Sequence, residues 1–178
     1  TIDTPDEMAN KARAISARQI KVKLDDEQPL ERITAVCRAR PDADIVVDAN
    51  EGWSFELLKE LAPQFKALGI KMIEQPLPRG KDDVLEQFQS PITLCADESC
   101  LDTSELDQAA RRYQMVNIKL DKTGGLTEAL NLVRQAKGKG MSLMVGNMTG
   151  TSLAMAPAYL VAQLCDFVDL DGALFLAE

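Results

Sequence analysis

Histidine is absent from the 178 residues of this sequence. Its absence excludes Ser-His-Asp triads, histidine-ligated metal ions and imidazole acid–base catalysis. Any proton transfer carried out by this chain must therefore use lysine, aspartate, glutamate, tyrosine or cysteine side chains.

Basic charge and long apolar runs are also scarce. The sequence has 20 Lys and Arg against 28 Asp and Glu, a net charge of −8, without a basic cluster, so nucleic acid is disfavoured as a partner. No apolar run reaches the ~18 residues expected of a membrane span, and no signal peptide is visible. We therefore expect no membrane partner and a cytoplasmic location.

Cysteine is sparse and irregularly spaced. The four cysteines, Cys37, Cys95, Cys100 and Cys165, form no CxxC pair and suggest no disulfide framework. This pattern is typical of reduced thiols in a cytosolic enzyme.

The most informative pattern present is a set of seven short apolar runs whose polar ends recur every 22 to 28 residues. These ends are Lys21-Val22-Lys23, Asp48-Ala49-Asn50, Glu74-Gln75-Pro76, Asp97-Glu98-Ser99, Lys119-Leu120-Asp121, Gly146-Asn147 and Asp169-Leu170-Asp171. A strand, a helix and two turns have about this length, which predicts consecutive βα units. Six further strands follow the one that ends at Lys23, at residues 45–47, 72–73, 92–95, 115–118, 143–145 and 167–168.

Apolar residues between these runs recur at helical spacing. They are Leu30, Ile33 and Cys37; Leu58, Leu61, Phe65 and Leu68; and Leu126, Leu130 and Val133. The segment Thr4-Pro5-Asp6-Glu7 predicts a helix start with a capping box and proline in the first turn. Parallel strands covered by helices on both faces explain why the strands are almost continuously apolar.

We predict an α/β fold of the (β/α)8 TIM-barrel type, as a single domain over residues 1–178. A whole barrel typically needs about 250 residues, so we expect an incomplete barrel. Residues 1–3 look like the stump of the first strand, and residues 174–178 follow the last strand without a covering helix. A doubly wound open sheet is the alternative, but it favours a GxGxxG or GxxxxGK[ST] loop that is missing here.

Three consecutive strands are predicted to end in the carboxylates Asp48, Glu74 and Asp97. Side chains at the C-terminal ends of adjacent barrel strands converge, and close carboxylates are costly unless a cation holds them. An all-oxygen site without histidine or cysteine favours Mg²⁺. The alternative, that each acidic residue caps a helix, is plausible for one of them but not for all three at matching positions.

Lys21 and Lys23 are two apart on a strand and so share a face, which is the interior in a parallel barrel. If residues 1–3 count as strand one, Lys23 ends strand two and Lys119 ends strand six. These two positions are opposite each other in an eight-stranded ring. The layout fits a 1,1-proton transfer, in which one lysine removes a proton α to a carboxylate and the other returns a proton to the opposite face. Mg²⁺ would stabilise the enediolate between these steps.

At this point the motifs resemble a known family. Lys21-Val22-Lys23, Asp48-Ala49-Asn50, Glu74-Gln75-Pro76, Ala96-Asp97-Glu98-Ser99 and the segment 117–125 resemble the muconate-lactonizing subgroup of the enolase superfamily. Among its members the chain is most similar to the L-Ala-D/L-Glu (dipeptide) epimerases, because of Asp169-Leu170-Asp171-Gly172 on the last strand. The resemblance covers nearly the whole chain.

The resemblance implies roles for individual residues. It gives Asp48, Glu74 and Asp97 as Mg²⁺ ligands and Lys23 and Lys119 as the two acid–base residues. We add Lys21 to the catalytic residues because it shares the strand face of Lys23. The resemblance gives Asp169 and Asp171 as the site for the α-ammonium group of a dipeptide, and we expect Asn147 and Met148, in a loop that varies within the family, to contact substrate. We expect Asn50 and Glu98 to orient the metal ligands, and Asp121 and Lys122 to support Lys119.

The two aspartates also have a physical basis of their own. Asp169 and Asp171 would share one face of a strand, and two anions favour a cation such as a dipeptide N-terminus. The alternative is that one of them caps a turn before Gly172. Ala173 stands where members of the family often have proline, which leaves the exact dipeptide open.

The resemblance also implies an N-terminal α+β capping domain, which these residues lack. We therefore expect weak or no turnover from residues 1–178 alone. Alternative activities on the same fold are o-succinylbenzoate synthesis, N-acylamino acid racemisation and cycloisomerisation, and a second alternative is Mg²⁺-dependent phosphoryl transfer. A homo-oligomer is compatible with the sequence.

Overall fold

A computed structural model describes residues 2–176 of the chain. Contacts divide the chain into two compact units, Thr1–Leu94 and Cys95–Glu178. Strands alternate with helices in each unit, and the described strand pairs within each unit are parallel. The α/β class is confirmed, whereas one domain over residues 1–178 stays a prediction. Among residues 2–176, none of the helices has the length and apolar character needed to cross a bilayer.

The first unit alternates three helices with three strands before its last residues. These elements are α1 Pro5–Ala14, β1 Gln19–Lys23, α2 Pro29–Ala39, β2 Asp44–Asp48, α3 Phe55–Ala67, β3 Met72–Glu74 and a 3-10 turn at Asp83–Gln87. The register pairs Lys23 with Asp48 and Asp48 with Glu74. The three residues that end these strands therefore stand at the same level of the sheet.

Side-chain caps mark where α1 and α3 begin. Thr4 Oγ1 accepts a hydrogen bond from the amide of Glu7 at the start of α1, and the amide of Thr4 donates to Asp3 instead of to Glu7. Ser54 Oγ caps α3 in the same way by accepting from the amide of Leu57. Each cap satisfies an amide that the helix itself leaves without a partner.

The predicted stump of an earlier strand is wrong in the part that the structure describes. Ile2 and Asp3 lie in no strand, and Thr1 lies outside the described residues. Asp3 instead serves α1, because its carboxylate accepts from the amide of Thr4 and pairs with Lys11. The first strand in the description is therefore β1, which ends at Lys23.

The second unit is built on four strands. Its elements are β4 Thr93–Ala96 (which begins in the last residues of the first unit), α4 Leu106–Arg112, β5 Met115–Ile118, α5 Leu120–Thr123, α6 Leu126–Gly138, β6 Ser142–Val145, α7 Ser152–Met155, α8 Ala158–Ala162, β7 Phe167–Val168 and a 3-10 turn at Gly172–Phe175. Cys95 pairs with Met115, and Ile118 pairs with Val145. All six predicted strands after β1 are present, with ends that differ by one residue at most.

The predicted stripe of α6 is partly wrong. Leu130 is exposed, whereas the predicted Val133 is buried, together with Ala129, Leu132 and Ala136. Two of the buried residues are alanines, which pack closely without contributing a strong apolar signal. In α3, by contrast, the larger predicted residues Leu58, Leu61 and Phe65 are all buried.

Candidate active site

Two lysines of β1 lie on the face of the strand opposite its apolar side chains. Ile20 and Val22 are buried, and Lys21 and Lys23 alternate with them. The Nζ atoms of both lysines reach the same oxygen, Asp48 Oδ2, at 3.0 Å from Lys21 and 3.2 Å from Lys23. The alternation of one strand thus brings two ammonium groups to one carboxylate.

Lys21 bridges the carboxylates that end β2 and β3. Its Nζ lies 2.8 Å from Glu74 Oε2 and 3.0 Å from Asp48 Oδ2. Both carboxylates are almost fully buried, where two negative charges this close would repel each other strongly. The ammonium group offsets that repulsion, so this pair of oxygens is a place that favours a cation.

The chain leaves β2 and β3 in strained conformations next to these carboxylates. Asn50, Glu51 and Gln75 all have positive φ angles, of 42°, 66° and 34°, which residues other than glycine adopt rarely. Asn50 is held there because its amide donates to Asp48 Oδ1 and its side-chain oxygen accepts from Lys23 Nζ. Such strain is typical of functional sites, where the surroundings over-determine the backbone.

Asp97, directly after β4, is held between two lysines of the second unit. Lys119 Nζ lies 2.6 Å from Asp97 Oδ2, and Lys122 Nζ lies 2.8 Å from Asp97 Oδ1. The exposed fractions of the three side chains are only 2%, 9% and 6% for Asp97, Lys119 and Lys122. Each carboxylate oxygen therefore has its own buried ammonium partner.

These charges control the ionisation of Asp97. Burial alone would raise the pKa of its carboxyl group, because removal from water disfavours the charged form. The positive charges of Lys122 and Lys119, with their hydrogen bonds, outweigh burial and hold the pKa of Asp97 below its ordinary value. Asp97 is therefore an anion throughout the neutral range.

Lys122 makes more contacts than the sequence predicted for a supporting residue. Besides the Asp97 carboxylate, its Nζ donates to the backbone carbonyls of Asp97 at 2.6 Å, Asn117 at 2.9 Å and Cys100 at 3.1 Å. Its spacing of three residues from Lys119 was the available signal, since residues three apart share a helix face. The carbonyl contacts could not be inferred from the sequence.

Gly146, after β6, gives space to Lys119. A Cβ atom at this position would lie 3.0 Å from Lys119 Cε and 2.8 Å from both polar atoms of the Asn117 side chain. Asn117 is fully buried on β5 and cannot move aside cheaply. The sequence marked Gly146 only as a strand end, and its role as a spacer was missed.

The loop after β6 uses one of its predicted substrate residues for structure. Asn147 Oδ1 accepts a hydrogen bond of 2.9 Å from the amide of Gly172, and a Cβ at Gly172 would collide with Asn147 Oδ1 and with the carbonyl of Met148. The side chain of Met148 is half exposed. Asn147 therefore fixes the turn after β7, and substrate contact by Asn147 and Met148 stays a prediction.

Asp169 and Asp171 do not share a strand as predicted. β7 ends at Val168, and the amide of Asp169 extends the ladder by donating to the carbonyl of Val145. Asp171 has helical angles (φ −94°, ψ 0°) at the start of the 3-10 turn, and its side chain does not cap that turn. The two-residue alternation therefore fails at Asp171, because the chain turns away from the extended form.

Two predicted supporting residues differ in position. Glu98, next to Asp97, is partly buried. Asp121 lies at the surface of α5, and its support of Lys119 stays a prediction. Lys122, on the same short helix, contacts the partner carboxylate of Lys119 instead.

The acidic residues predicted to bind Mg²⁺ have the ligand chemistry that this ion requires. Asp48 and Glu74 are buried oxygen donors within the first unit, and Asp97 is a buried oxygen donor within the second. Oxygen donors are the ligands that Mg²⁺ prefers. Lys21, seated between Asp48 and Glu74, marks where a positive charge is favoured. Within residues 2–176, however, no group of three or more Asp, Glu, Cys or His side chains is arranged to hold a metal ion. The three-carboxylate site stays a prediction.

Comparison with known protein families gives a match over most of the chain. The family described as Enolase C-terminal domain-like matches residues 6–171. Among curated proteins, an N-acetyl-D-glutamate racemase from Pseudoalteromonas is 49% identical over 100% of this chain and 57% of its own length. An L-Ala-D/L-Glu epimerase from Escherichia coli K12 is 49% identical over 99% of this chain and 56% of its own. The chain thus spans little more than half the length of these relatives.

Solved structures give the same result. An L-Ala-D/L-Glu epimerase superposes with a TM-score of 0.96 at 48% identity, covering 99% of this chain and 57% of the other. A protein from Agrobacterium tumefaciens with homology to dipeptide epimerases, solved with sodium and L-Ala-L-Glu, gives 0.93 at 47% identity, covering 100% and 55%. A dipeptide epimerase from Cytophaga hutchinsonii, complexed with Mg and D-Ala-L-Val, gives 0.92 at 30% identity, covering 100% and 52%. These matches confirm the predicted incomplete (β/α)8-type fold and the resemblance stated from the motifs.

Proposed function

Because the chain belongs to the Enolase C-terminal domain-like family, we propose that the protein carrying it is a Mg²⁺-dependent dipeptide epimerase. Its substrate is a dipeptide of the L-Ala-D/L-Glu type, and the reaction inverts the α-carbon of the C-terminal residue. The enzyme is an isomerase that acts on an amino acid derivative.

One observation supports this proposal more than any other. Lys23 ends β1 and Lys119 follows β5, and the ammonium group of each contacts an aspartate at the end of a strand, Asp48 and Asp97 respectively. The C-terminal ends of strands are where barrels of this type place their reactive groups. Two lysines so placed can supply a base and an acid without histidine.

The proton transfer needs one lysine in each role. A neutral lysine accepts the α-proton of the substrate, and a protonated lysine delivers a proton to the other face of the same carbon. Lys23 and Lys119 exchange these roles when the substrate is the other epimer. Lys21, fixed between Asp48 and Glu74, contributes positive charge beside Lys23 and has no proton-transfer role in this proposal.

Asp48, Glu74 and Asp97 would hold the magnesium ion. When bound, the ion supplies electrostatic stabilisation for negative charge that develops on the substrate carboxylate as the α-proton leaves. Asn50 restrains both Asp48 and Lys23 through its amide and its side-chain oxygen. The relative position of Asp48, a proposed metal ligand, and Lys23, a proposed acid–base residue, thereby depends on Asn50, which has a positive φ angle.

The two relatives at 49% identity differ in a way that defines the specificity question. N-Acetylglutamate and L-alanylglutamate both carry an acylated nitrogen on glutamate, and they differ chiefly in the alanyl group with its ammonium. Asp169 and Asp171 lie two positions apart after β7, where two negative charges favour that ammonium. An N-acylamino acid racemase is therefore the second candidate, and it is favoured by the equal identity to the Pseudoalteromonas enzyme.

The proposal is tested by proton NMR in D₂O with Mg²⁺ and the protein that carries this chain. L-Ala-L-Glu is compared with N-propionyl-L-glutamate, which has nearly the same shape without the ammonium group. We expect exchange of the glutamate α-proton in both, with kcat/KM about 10- to 100-fold higher for the dipeptide, because a charge-assisted hydrogen bond contributes about 1.5–3 kcal/mol.

The outcomes separate the candidates. A preference for N-propionyl-L-glutamate would favour the racemase. Inert behaviour of both compounds would overturn the proposal. Asp169→Asn and Asp171→Asn show which aspartate is responsible for the preference for the dipeptide. Loss of that aspartate should make the kcat/KM values for L-Ala-L-Glu and N-propionyl-L-glutamate nearly equal.

A further inference from the structure

We infer that Lys122 is a positioning residue that fixes the Asp97 carboxylate for metal binding, which deepens the function proposed above and depends on it. Lys122 does so without contact to substrate or metal. It holds one oxygen of Asp97 and leaves the other to Lys119 and the metal ion.

The division of the two oxygens is the first argument. Lys122 Nζ contacts Asp97 Oδ1 at 2.8 Å, and Lys119 Nζ contacts Asp97 Oδ2 at 2.6 Å. A carboxylate rotates easily about its last bond, because that torsion has a broad preference. A charged hydrogen bond to one oxygen removes this freedom and decides which oxygen faces the reactive lysine.

The remaining contacts of Lys122 are the second argument. Its ammonium group also faces three backbone carbonyls, those of Asp97, Cys100 and Asn117. An ammonium group has only three N–H donors, so four acceptors occupy all of them. Lys122 therefore has no proton to offer a substrate, and its position is tied to the backbone at the ends of β4 and β5.

A fixed cation has a specific use in a reaction where Lys119 gives up or gains a proton. The contact between Lys119 and Asp97 must change when Lys119 turns to substrate. Lys122 maintains its contact through this change because its other partners are backbone atoms. Asp97 thus keeps one orientation during turnover, as a metal ligand requires.

The test compares Lys122→Met with Lys139→Met in the protein that carries this chain. Lys139 pairs with Asp107 at the surface of the same unit and serves as the matched control. Mg²⁺ affinity is measured by titration calorimetry without substrate, and folding is checked by circular dichroism. We expect Lys122→Met to weaken Mg²⁺ binding about 10- to 100-fold and Lys139→Met to leave it unchanged.

Two further variants keep the test decisive if Lys122→Met does not fold. Lys122→Gln retains N–H donors without charge, and Lys122→Arg retains the charge. We expect weakened Mg²⁺ binding in Lys122→Gln and partial recovery in Lys122→Arg. A folded Lys122→Met or Lys122→Gln that binds Mg²⁺ as tightly as the wild type would overturn the inference, even if its melting temperature falls.

The outcome is separable from that of the proposed function. A wild-type protein that binds Mg²⁺ but leaves dipeptides unchanged would refute the epimerase, while the calorimetric comparison still decides the role of Lys122. A wild-type protein that epimerises dipeptides, with unaltered Mg²⁺ binding in the Lys122 variants, would refute only the role of Lys122.

Discussion

The two units of the chain hold the lysines proposed for catalysis in different ways. In Thr1–Leu94, the side chain of Lys23 is 50% exposed and contacts Asp48 and the loop residue Asn50. In Cys95–Glu178, the side chain of Lys119 is 9% exposed and contacts Asp97. The acid–base role proposed for both lysines thus falls on one side chain that is half exposed to water and one that is almost fully buried.

The second lysine of each pair extends this contrast. Lys21 comes from the alternation of a strand and bridges two carboxylate side chains, Asp48 and Glu74. Lys122 comes from the next turn of chain after Lys119 and binds three backbone carbonyls besides Asp97. Side-chain partners can be taken over by a metal ion, whereas backbone partners are permanent. The position of Lys122 therefore depends less on side-chain partners than the position of Lys21 does.

The largest effect expected from this contrast is on stability. Asp97→Asn leaves two buried ammonium groups without their carboxylate, and breaking a buried pair costs about 3–5 kcal/mol. Asp48→Asn should cost about 1–2 kcal/mol, because Lys23 is half in water and Lys21 keeps Glu74. Urea unfolding in the presence of EDTA measures the unfolding free energy of both variants. Equal losses would show that the burial of the lysine partners does not matter.

The second prediction concerns the space that the buried lysine needs. Gly146→Ala should cost about 1–3 kcal/mol, because the new Cβ would meet Asn117 and Lys119. Gly138→Ala is the matched control, since Gly138 is the last residue of α6 and its Cβ would meet nothing within 4 Å. It should stabilise by about 0.5–1 kcal/mol. Urea midpoints that shift in the same direction for both would contradict this explanation.

The third and smallest effect is on the pH dependence of stability. The pKa of Asp97 is lower in the folded state than its ordinary value, despite the opposing effect of burial, because of Lys122 and Lys119. Its contribution is therefore present above the unfolded pKa and is lost as pH falls through the lower folded pKa. We expect the unfolding free energy of the wild type to fall more steeply below about pH 4 than that of Asp97→Asn.

Asp107→Asn is the control for the pH series, because Asp107 also has a lowered pKa, through its hydrogen bond to Lys139, but is fully exposed. The unfolding free energy of Asp107→Asn should fall at acid pH almost as that of the wild type does, since exposed ion pairs contribute little. If Asp107→Asn reduced the acid-dependent fall in unfolding free energy more than Asp97→Asn did, the acid-sensitive group would not be the buried Asp97.

The parts of the fold that follow from periodicity could be predicted from the sequence. The strand ends at Lys23, Asp48 and Glu74 are readable because apolar runs stop there, and residue alternation places Lys21 beside Lys23. Where the chain departs from a period, prediction failed. Asp171 leaves the extended form at the start of a 3-10 turn, and Ala129 and Ala136 are buried on α6 while the predicted Leu130 is exposed.

The site was predictable in its residue types more than in its contacts. Asp48 and Asp97 could be predicted as site residues because each is a carboxylate where an apolar run ends. The carbonyls that surround Lys122 depend on how the ends of β4 and β5 are placed, and backbone acceptors leave no mark on the sequence. Gly146 is similar, because its importance lies in the atoms that a side chain there would displace.

The most direct measurement is α-proton exchange in Lys23→Ala and Lys119→Ala, each supplied separately with L-Ala-L-Glu and L-Ala-D-Glu in D₂O with Mg²⁺. Both variants should epimerise at least about 10³-fold more slowly than the wild type, in the range expected for loss of an acid–base group. Each should still exchange the proton of one epimer, and the two variants should retain opposite epimers. Retention of the same epimer by both variants, or epimerisation at the wild-type rate by either, would contradict two lysines acting on opposite faces of the substrate.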